Sequence, residues 1–286
     1  MISILSIYIF IIIGFIAKKL FKDLNEKSFV IISIYFLQPF LTLWGLTLKP
    51  LNFNSFLTPF YYLEIIFISL IFTFFLAKFL DKKDRSIATI TALIGNTGNL
   101  GIPLSYALFG SEGAFLATLL NLTNMFFIYI FGIFFYAGKF SLENAKKIFK
   151  IPIIYVGFLA LLINYLKIDL TSIAQMLKMG AYSSMVLQLI IFGIYTANIK
   201  IEKIPIKLSI IVIFEKFMLI PLIGYLFLSL FHIDETIKKI IILEISVPIA
   251  VNNVNLAALF DNQPEVVAWL IILSSILFIP YFVIIF

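Results

Sequence analysis

A long apolar run is interrupted at its centre by residues that disfavour a helix. Residues 87–109 are mostly apolar, and roughly 20 such residues cross about 30 Å of hydrocarbon. The middle of this run reads Gly-Asn-Thr-Gly-Asn-Leu-Gly-Ile-Pro over residues 95–103. A proline removes a backbone donor, and buried amides need hydrogen-bond partners. Because irregular backbone at membrane depth needs surrounding protein or a water-filled cavity, the run predicts a broken helix that lines a binding site.

A second interruption, in the other half of the chain, favours the same interpretation. The apolar run over 237–259 contains Pro248, Asn252, Asn253 and Asn255. The alternative for the first run is a kinked helix whose three glycines let a neighbouring helix approach closely.

The composition requires an integral membrane protein. The 286 residues are 62% hydrophobic and 13% charged, against roughly 45–50% and 25% in soluble domains. The apolar runs are long and continuous, which favours helices over an alternating β-barrel. The chain has no cysteine and one histidine, His232, in a predicted loop. We therefore predict neither a metal site nor a cofactor.

The length and spacing of the apolar runs predict an all-α integral membrane protein with ten transmembrane helices. The first run is interpreted as a retained helix, since no positive segment precedes it and no small-residue cleavage site follows. Trp44 and Trp269 fall near span ends, as interface anchors do. The ten predicted spans are residues 2–20, 28–48, 58–80, 86–109, 112–137, 151–166, 172–196, 205–231, 237–259 and 264–286.

The positive charges predict the orientation of these spans. Fifteen lysine and arginine residues lie in the first, third, fifth and seventh connectors, and four lie in the even-numbered ones. The positive-inside rule then puts the odd connectors, including 138–150, in the cytoplasm and both termini on the outer side. The net charge of +6 thus follows from membrane topology, and we predict no nucleic-acid partner.

Five spans followed by five enter the membrane from opposite sides, which predicts two inverted five-helix repeats over 1–137 and 151–286. Broken helices four and nine are then equivalent. Gln38 in span two and Gln188 in span seven support the repeat, as do single carboxylates in spans three and eight.

The broken spans carry the predicted binding chemistry. Helix N-termini at the two breaks would present free backbone N–H groups and partial positive charge, which suit a carboxylate. The side-chain amides of Asn96, Asn99, Asn252 and Asn253 could donate to carboxylate oxygens and accept from substrate hydroxyls. The alternative is that these amides only join helices.

Ionisable residues within spans are functional candidates. Glu64, Glu215 and Glu244 are candidate proton carriers, because burial of a carboxylate disfavours its charged form. Alternatively, Glu64 lies near the outer headgroups, and Lys216 extends to the inner interface. No nucleotide fingerprint, metal-spaced histidine pair or nucleophile elbow is present, so the sequence predicts a transporter driven by gradients and no enzyme.

The two interrupted segments resemble signatures of the auxin efflux carrier family, within the bile acid and auxin transporter group. Residues 95–104 resemble its fourth span, and Val-Pro-Ile-Ala-Val-Asn-Asn over 247–253 resembles its ninth. Gln38-Pro39 and Leu273-Ser274-Ser275 resemble parts of its second and last spans. The short fifth connector resembles the bacterial members, although the proline that the family often has near Met185 is absent.

This resemblance implies a scaffold of helices one, two, six and seven and a mobile part of helices three to five and eight to ten. It implies that spans four and nine cross at Pro103 and Pro248, with the substrate beside the crossing, near Gly98, Asn96 and Asn252. Elevator-like motion, homodimers, a bacterial inner membrane and small organic anions such as malate, malonate or indole-3-acetate are also implied.

Two other functions stay open at this point. One is a sodium-coupled carrier resembling the bile acid symporters, in which amides and freed carbonyls at the crossing coordinate sodium. The other is a non-transporting membrane sensor that binds the anion. Dependence of uptake on a proton or a sodium gradient separates the transport alternatives.

Overall fold

A computed structural model describes residues 4–138, 152–198 and 204–285. Helices account for most of these residues, and no β-strand occurs among them. Their one extended pairing is an isolated bridge between Gly95 and Ile249. The predicted cytoplasmic connector 138–150 lies, beyond Gly138, outside the described residues.

The helices are numbered in chain order, and four of them include a π-helical or 3₁₀ turn. They are α1 (Ile4–Leu20), α2 (Glu26–Ile32, Ser33–Leu37 and Gln38–Thr47), α3 (Phe53–Ala77), α4 (Arg85–Thr91), α5 (Thr97–Gly101, Ile102–Phe127, Ile128–Gly132 and Ile133–Ala137), α6 (Pro152–Tyr165), α7 (Thr171–Ile173 and Ala174–Asn198), α8 (Ile206–Phe214, Glu215–Leu219 and Ile220–Ser229), α9 (Glu235–Ser246), α10 (Asn252–Leu259) and α11 (Pro264–Ile285).

Several of these helices have the length and apolar composition of membrane spans. Six such candidates occur in the described part of the chain: Ser28–Thr47, Phe53–Ala77, Thr97–Ala137, Thr171–Ala197, Ile206–Ser229 and Pro264–Ile285. The third of them, α5, consists of two helical parts that meet at Gly110, whose angles φ 62° and ψ −143° are non-helical and lie in a region open to glycine. The ten-span inverted repeat stays a prediction.

The helices form two compact units. The first unit consists of residues 1–58, 98–122 and 146–198, and α1 packs along α7 within it. A Cβ atom at Gly14 would lie 2.0 Å from the carbonyl oxygen of Ile190, and one at Gly193 would lie 2.0 Å from that of Ile11. The two glycines therefore bring the two backbones into direct contact.

Polar and aromatic side chains join the helices of the first unit. The Gln38 amide donates to Gln188 Oε1 at 3.3 Å, so the two glutamines that suggested a repeat contact each other. Trp44 is buried, with edge-to-face contacts to Tyr106 and Tyr182 at centroid distances of 5.5 and 5.7 Å. The prediction of Trp44 as an interface anchor is therefore wrong, because its ring fills the unit's core.

The second unit consists of residues 59–97, 123–145 and 199–286. Within it, α9 packs against the last part of α8, and α10 packs against α11. The Asp234 carboxylate caps the start of α9 by accepting from the backbone N–H groups of Thr236 and Ile237. The other end of α9, at Ser246, leads into the second interruption.

Candidate functional site

Helical structure stops twice within the second unit. It stops at Thr91 and resumes at Thr97, and it stops at Ser246 and resumes at Asn252. Val247 is extended, with φ −56° and ψ 152°, because the proline that follows it disfavours the α-helical region for the preceding residue. The second helix therefore ends at its proline, whereas the first ends before Ala92, Leu93 and Ile94, which precede Gly95.

The two non-helical segments, 92–96 and 247–251, pair with each other. The backbone N–H of Asn96 donates to the carbonyl of Pro248 at 2.8 Å, and that of Ala250 donates to the carbonyl of Ile94 at 2.9 Å. Gly95 and Ile249 thus face each other in an antiparallel bridge. Buried backbone groups must be paired, so each segment supplies some of the backbone hydrogen bonds that the other lost on leaving the helix. We call this arrangement the crossing.

Asn253 holds the crossing in place. Its amide donates to the carbonyl oxygens of Ile94 and Ala250 at 3.2 and 3.1 Å. Its Oδ1 accepts from the hydroxyl of Tyr136 at 3.0 Å, and that hydroxyl also lies 2.9 Å from Thr91 Oγ1. Asn253 is fully buried, so its polar groups bind the protein itself.

Asn124 supports the first break from α5. Its buried amide donates to the carbonyl of Gly95 and to Thr97 Oγ1, both at 3.0 Å, while its Oδ1 has no hydrogen-bond partner in the described part of the chain. Sequence reasoning missed both Asn124 and Tyr136. The available signal was their polar character within apolar span five.

Asn96 lies between the two residues that Asn124 holds. It is 3% exposed, and its side-chain nitrogen has no hydrogen-bond partner among the described residues. A buried amide donor without a partner costs free energy, so this nitrogen is suited to a ligand. Asn252, the first residue of α10, is half-buried.

The structure divides the predicted binding residues between the two units. Asn96, Pro248, Asn252 and Asn253 belong to the second unit. Three more belong to the first unit: the half-buried Gly98 and Asn99 and the buried Pro103. A Cβ atom at Gly98 would lie 2.8 Å from Asn121 Oδ1, so that glycine allows close packing of the Asn121 side chain.

The three candidate carboxylates occupy different environments. Glu64 is exposed on α3, whereas Glu215 and Glu244 are fully buried in the second unit. Neither carboxylate oxygen of Glu215 has a hydrogen-bond partner within the described ranges. Glu244 is the charged neighbour of Lys216 and of Tyr62. Lys216 is 1% exposed, so the alternative that it extends to the inner interface is wrong.

The network of Asn253 gives a first testable expectation. Replacing Asn253 with leucine should lower the unfolding free energy by about 1–3 kcal/mol, because buried carbonyl and hydroxyl groups lose their partner. Thermal unfolding of the purified protein in detergent measures this. The neighbouring Asn252→Leu variant is the matched control and should change the melting temperature little. Equal melting temperatures for Asn253→Leu and wild type would contradict the structural role of Asn253.

Two comparisons with known proteins bear on the family of this chain. A family model described as a membrane transport protein matches residues 1–150 and 139–286. A protein of Methanocaldococcus jannaschii, named an uncharacterized transporter, is 24% identical over 289 residues, which is 95% of this chain and 93% of that protein.

Proposed function

This chain belongs to the membrane transport protein family, and we propose that it is a secondary transporter of small organic anions. The membership confirms the predicted likeness to transporters of the auxin efflux carrier type. It also shows that the chain is a multi-pass membrane transporter and not an enzyme, as predicted from the sequence.

The observation that carries the proposal is the side-chain nitrogen of Asn96. It is a buried donor without a hydrogen-bond partner in the described residues, and it belongs to a backbone segment that has left the helix. Helical structure resumes at the next residue, Thr97, so N–H groups of a new helix start beside it. A donor amide next to a helix N-terminus favours a carboxylate.

Asn124 extends this chemistry from the carboxylate to other substrate groups. Its buried Oδ1 lacks a hydrogen-bond partner in the described ranges. Its nitrogen donates to Gly95 and Thr97, the residues before and after Asn96. The pair therefore offers one open donor and one open acceptor. A hydroxy acid such as malate carries a carboxylate for the first and a hydroxyl for the second.

We propose alternating access by an elevator-like motion. Both interruptions and their mutual hydrogen bonds lie in one compact unit, so the crossing keeps its geometry when that unit moves. The resemblance extends the proposal to two inverted five-helix repeats, a scaffold that forms homodimers, a bacterial inner membrane and termini on the outer side.

Uptake of labelled malate, malonate and indole-3-acetate into proteoliposomes tests the function. Each substrate is offered under an inward proton gradient, an inward sodium gradient or no gradient, with protein-free liposomes as the control. We expect accumulation with the proton gradient. Accumulation with sodium alone would favour a sodium-coupled carrier, and binding without uptake would favour a sensor. If the protein neither binds nor takes up any of these carboxylates, the proposal is wrong.

A further inference from the structure

A small cavity lies in the second unit, between the connector from α3 to α4 and the start of α8. Its volume is about 180 Å³, and a cavity of roughly 150 Å³ admits a molecule the size of benzene. The connector contributes Leu80, Asp81 and Asp84 to the lining, and α8 contributes residues 205–208. None of these lining residues belongs to the crossing, so the cavity is separate from the proposed anion site.

The cavity carries charges of both signs. Asp81 and Asp84 contribute carboxylates, and Lys207 contributes an ammonium group. Lys207 Nζ donates to the backbone carbonyl of Phe79 at 2.7 Å, and Asp84 Oδ1 accepts from the side-chain amide of Gln263 at 3.0 Å. An ammonium group has three donors and a carboxylate has about four acceptor sites. These neutral partners therefore position the charged groups and leave hydrogen-bonding capacity for a ligand.

Exposed apolar side chains adjoin the cavity. Ile206 lines it and is 68% exposed, and Phe79, next to Leu80 in the chain, is 70% exposed. One helical turn further along their helices, Ile210 and Phe75 are also exposed. In a membrane protein, such side chains are covered by the hydrocarbon of the bilayer. The cavity thus lies where apolar, membrane-facing surface meets a charged connector, which is the level of the lipid headgroups.

We propose that this cavity binds the headgroup of a phospholipid with a primary ammonium group, such as phosphatidylethanolamine. The carboxylates of Asp81 and Asp84 accept hydrogen bonds from the lipid ammonium, and the Lys207 ammonium donates to the lipid phosphate. The acyl chains lie against the exposed side chains of Phe79 and Ile206.

The mixed charges of the cavity select this headgroup over other ligands. Phosphatidylglycerol has a phosphate for Lys207 but no positive charge for the two carboxylates. Phosphatidylcholine has a quaternary ammonium, which has no N–H group to donate to them. A divalent cation suits the carboxylates but is repelled by the Lys207 ammonium. A headgroup with both a phosphate and a primary ammonium matches both signs of charge.

Competition between lipids tests the inference on the full chain. The protein, purified in detergent, is mixed with equal amounts of phosphatidylethanolamine, phosphatidylcholine and phosphatidylglycerol that have identical acyl chains. Native mass spectrometry then measures which lipid stays bound. For wild type we expect phosphatidylethanolamine about ten times as often as either competitor, because charge-assisted hydrogen bonds distinguish the headgroups.

Two variants separate the two charges of the cavity. Asp81→Asn combined with Asp84→Asn should reduce the preference for phosphatidylethanolamine to about twofold or less, because neutral amides do not attract its ammonium. Asparagine keeps an oxygen that accepts from Gln263, so the connector keeps that hydrogen bond. Lys207→Gln should instead lower the retention of all three lipids, by about tenfold, because each of them has a phosphate.

The matched controls make the same chemical changes outside the cavity. Asp261→Asn and Lys82→Gln alter exposed residues that are not part of its lining. Both variants should retain the wild-type preference and the wild-type amount of bound lipid.

Three results would overturn the inference. One is equal retention of the three lipids by wild type, and another is a preference for phosphatidylglycerol, which surface lysines alone would produce. The third is a preference for phosphatidylethanolamine that survives both aspartate substitutions. If the double variant does not fold, Asp81→Asn alone, at an exposed position, should lower the preference about threefold, and an unchanged preference would contradict the inference. Lipid retention needs no substrate, so these results stay distinct from a failure of organic-anion uptake.

Discussion

Alanine at both Asn96 and Asn252 is expected to lower the initial rate of organic-anion uptake about 100-fold or more below saturation. A hydrogen bond to a charged group contributes about 1.5–3 kcal/mol, and each 1.4 kcal/mol corresponds to about a factor of ten in affinity. Uptake into proteoliposomes at substrate concentrations below KM measures the loss, and binding to the detergent-solubilised protein measures its share in affinity.

The same double variant should stay as stable as wild type. The side-chain nitrogen of Asn96 makes no hydrogen bond to the described protein, so truncation there removes no native contact of that nitrogen. The matched comparison is Asn253→Ala, which should lower the melting temperature because its amide holds the crossing. Uptake within twofold of wild type by a folded double variant would show that the site assignment is wrong.

The contrast between Asn252 and Asn253 shows where sequence reasoning stops. The two are adjacent asparagines in an apolar run, and residue type alone gives them the same chemistry. Their difference arises from the path of the backbone, which turns Asn253 into the core beside Tyr136 and leaves Asn252 half-buried. The direction in which each side chain points depends on contacts between residues that are far apart in the chain.

The causes of the two interruptions are only partly local. Pro248 accounts for the end of a helix at Ser246, whereas the helix that ends at Thr91 stops before Ala92, Leu93 and Ile94, which precede Gly95. The pairing of the two segments is not local. Its hydrogen bonds join residues about 150 positions apart in the chain, and no periodicity in either segment encodes its partner.

Lys216 and Trp44 illustrate the same limit. A lysine near the middle of an apolar span and a tryptophan near the end of one are both compatible with interfacial positions. Both are instead buried. Lys216 has a carbonyl acceptor at a helix end, and Trp44 has two tyrosine rings. These partners come from other helices, so their presence follows from packing.

The structure also separates the candidate proton carriers. Glu64 is exposed, and Glu244 has Lys216 as a charged neighbour. Glu215 is fully buried, and neither of its oxygens has a hydrogen-bond partner in the described ranges. A negative charge at Glu215 would therefore lack the compensation that buried charges require. Among the three, we therefore propose Glu215 as the carrier of the coupling proton.

Replacing Glu215 with glutamine is expected to abolish accumulation driven by a proton gradient. One coupled proton and a difference of one pH unit supply about 1.4 kcal/mol, or about tenfold accumulation of the substrate. The glutamine variant should reach only the equilibrium level. It should still exchange labelled for unlabelled substrate across the membrane, because the amides at the crossing are unchanged. Gradient-driven uptake and counterflow, measured on the same proteoliposomes, separate coupling from binding.

Glu64→Gln is the control for this experiment, since it makes the same chemical change at an exposed carboxylate in another predicted span. It should retain accumulation at the wild-type level. If Glu64→Gln lost accumulation while Glu215→Gln kept it, the assignment of the proton to Glu215 would be wrong. If both variants kept it, neither Glu64 nor Glu215 would carry the coupling proton, and the assignment to Glu215 would again be wrong.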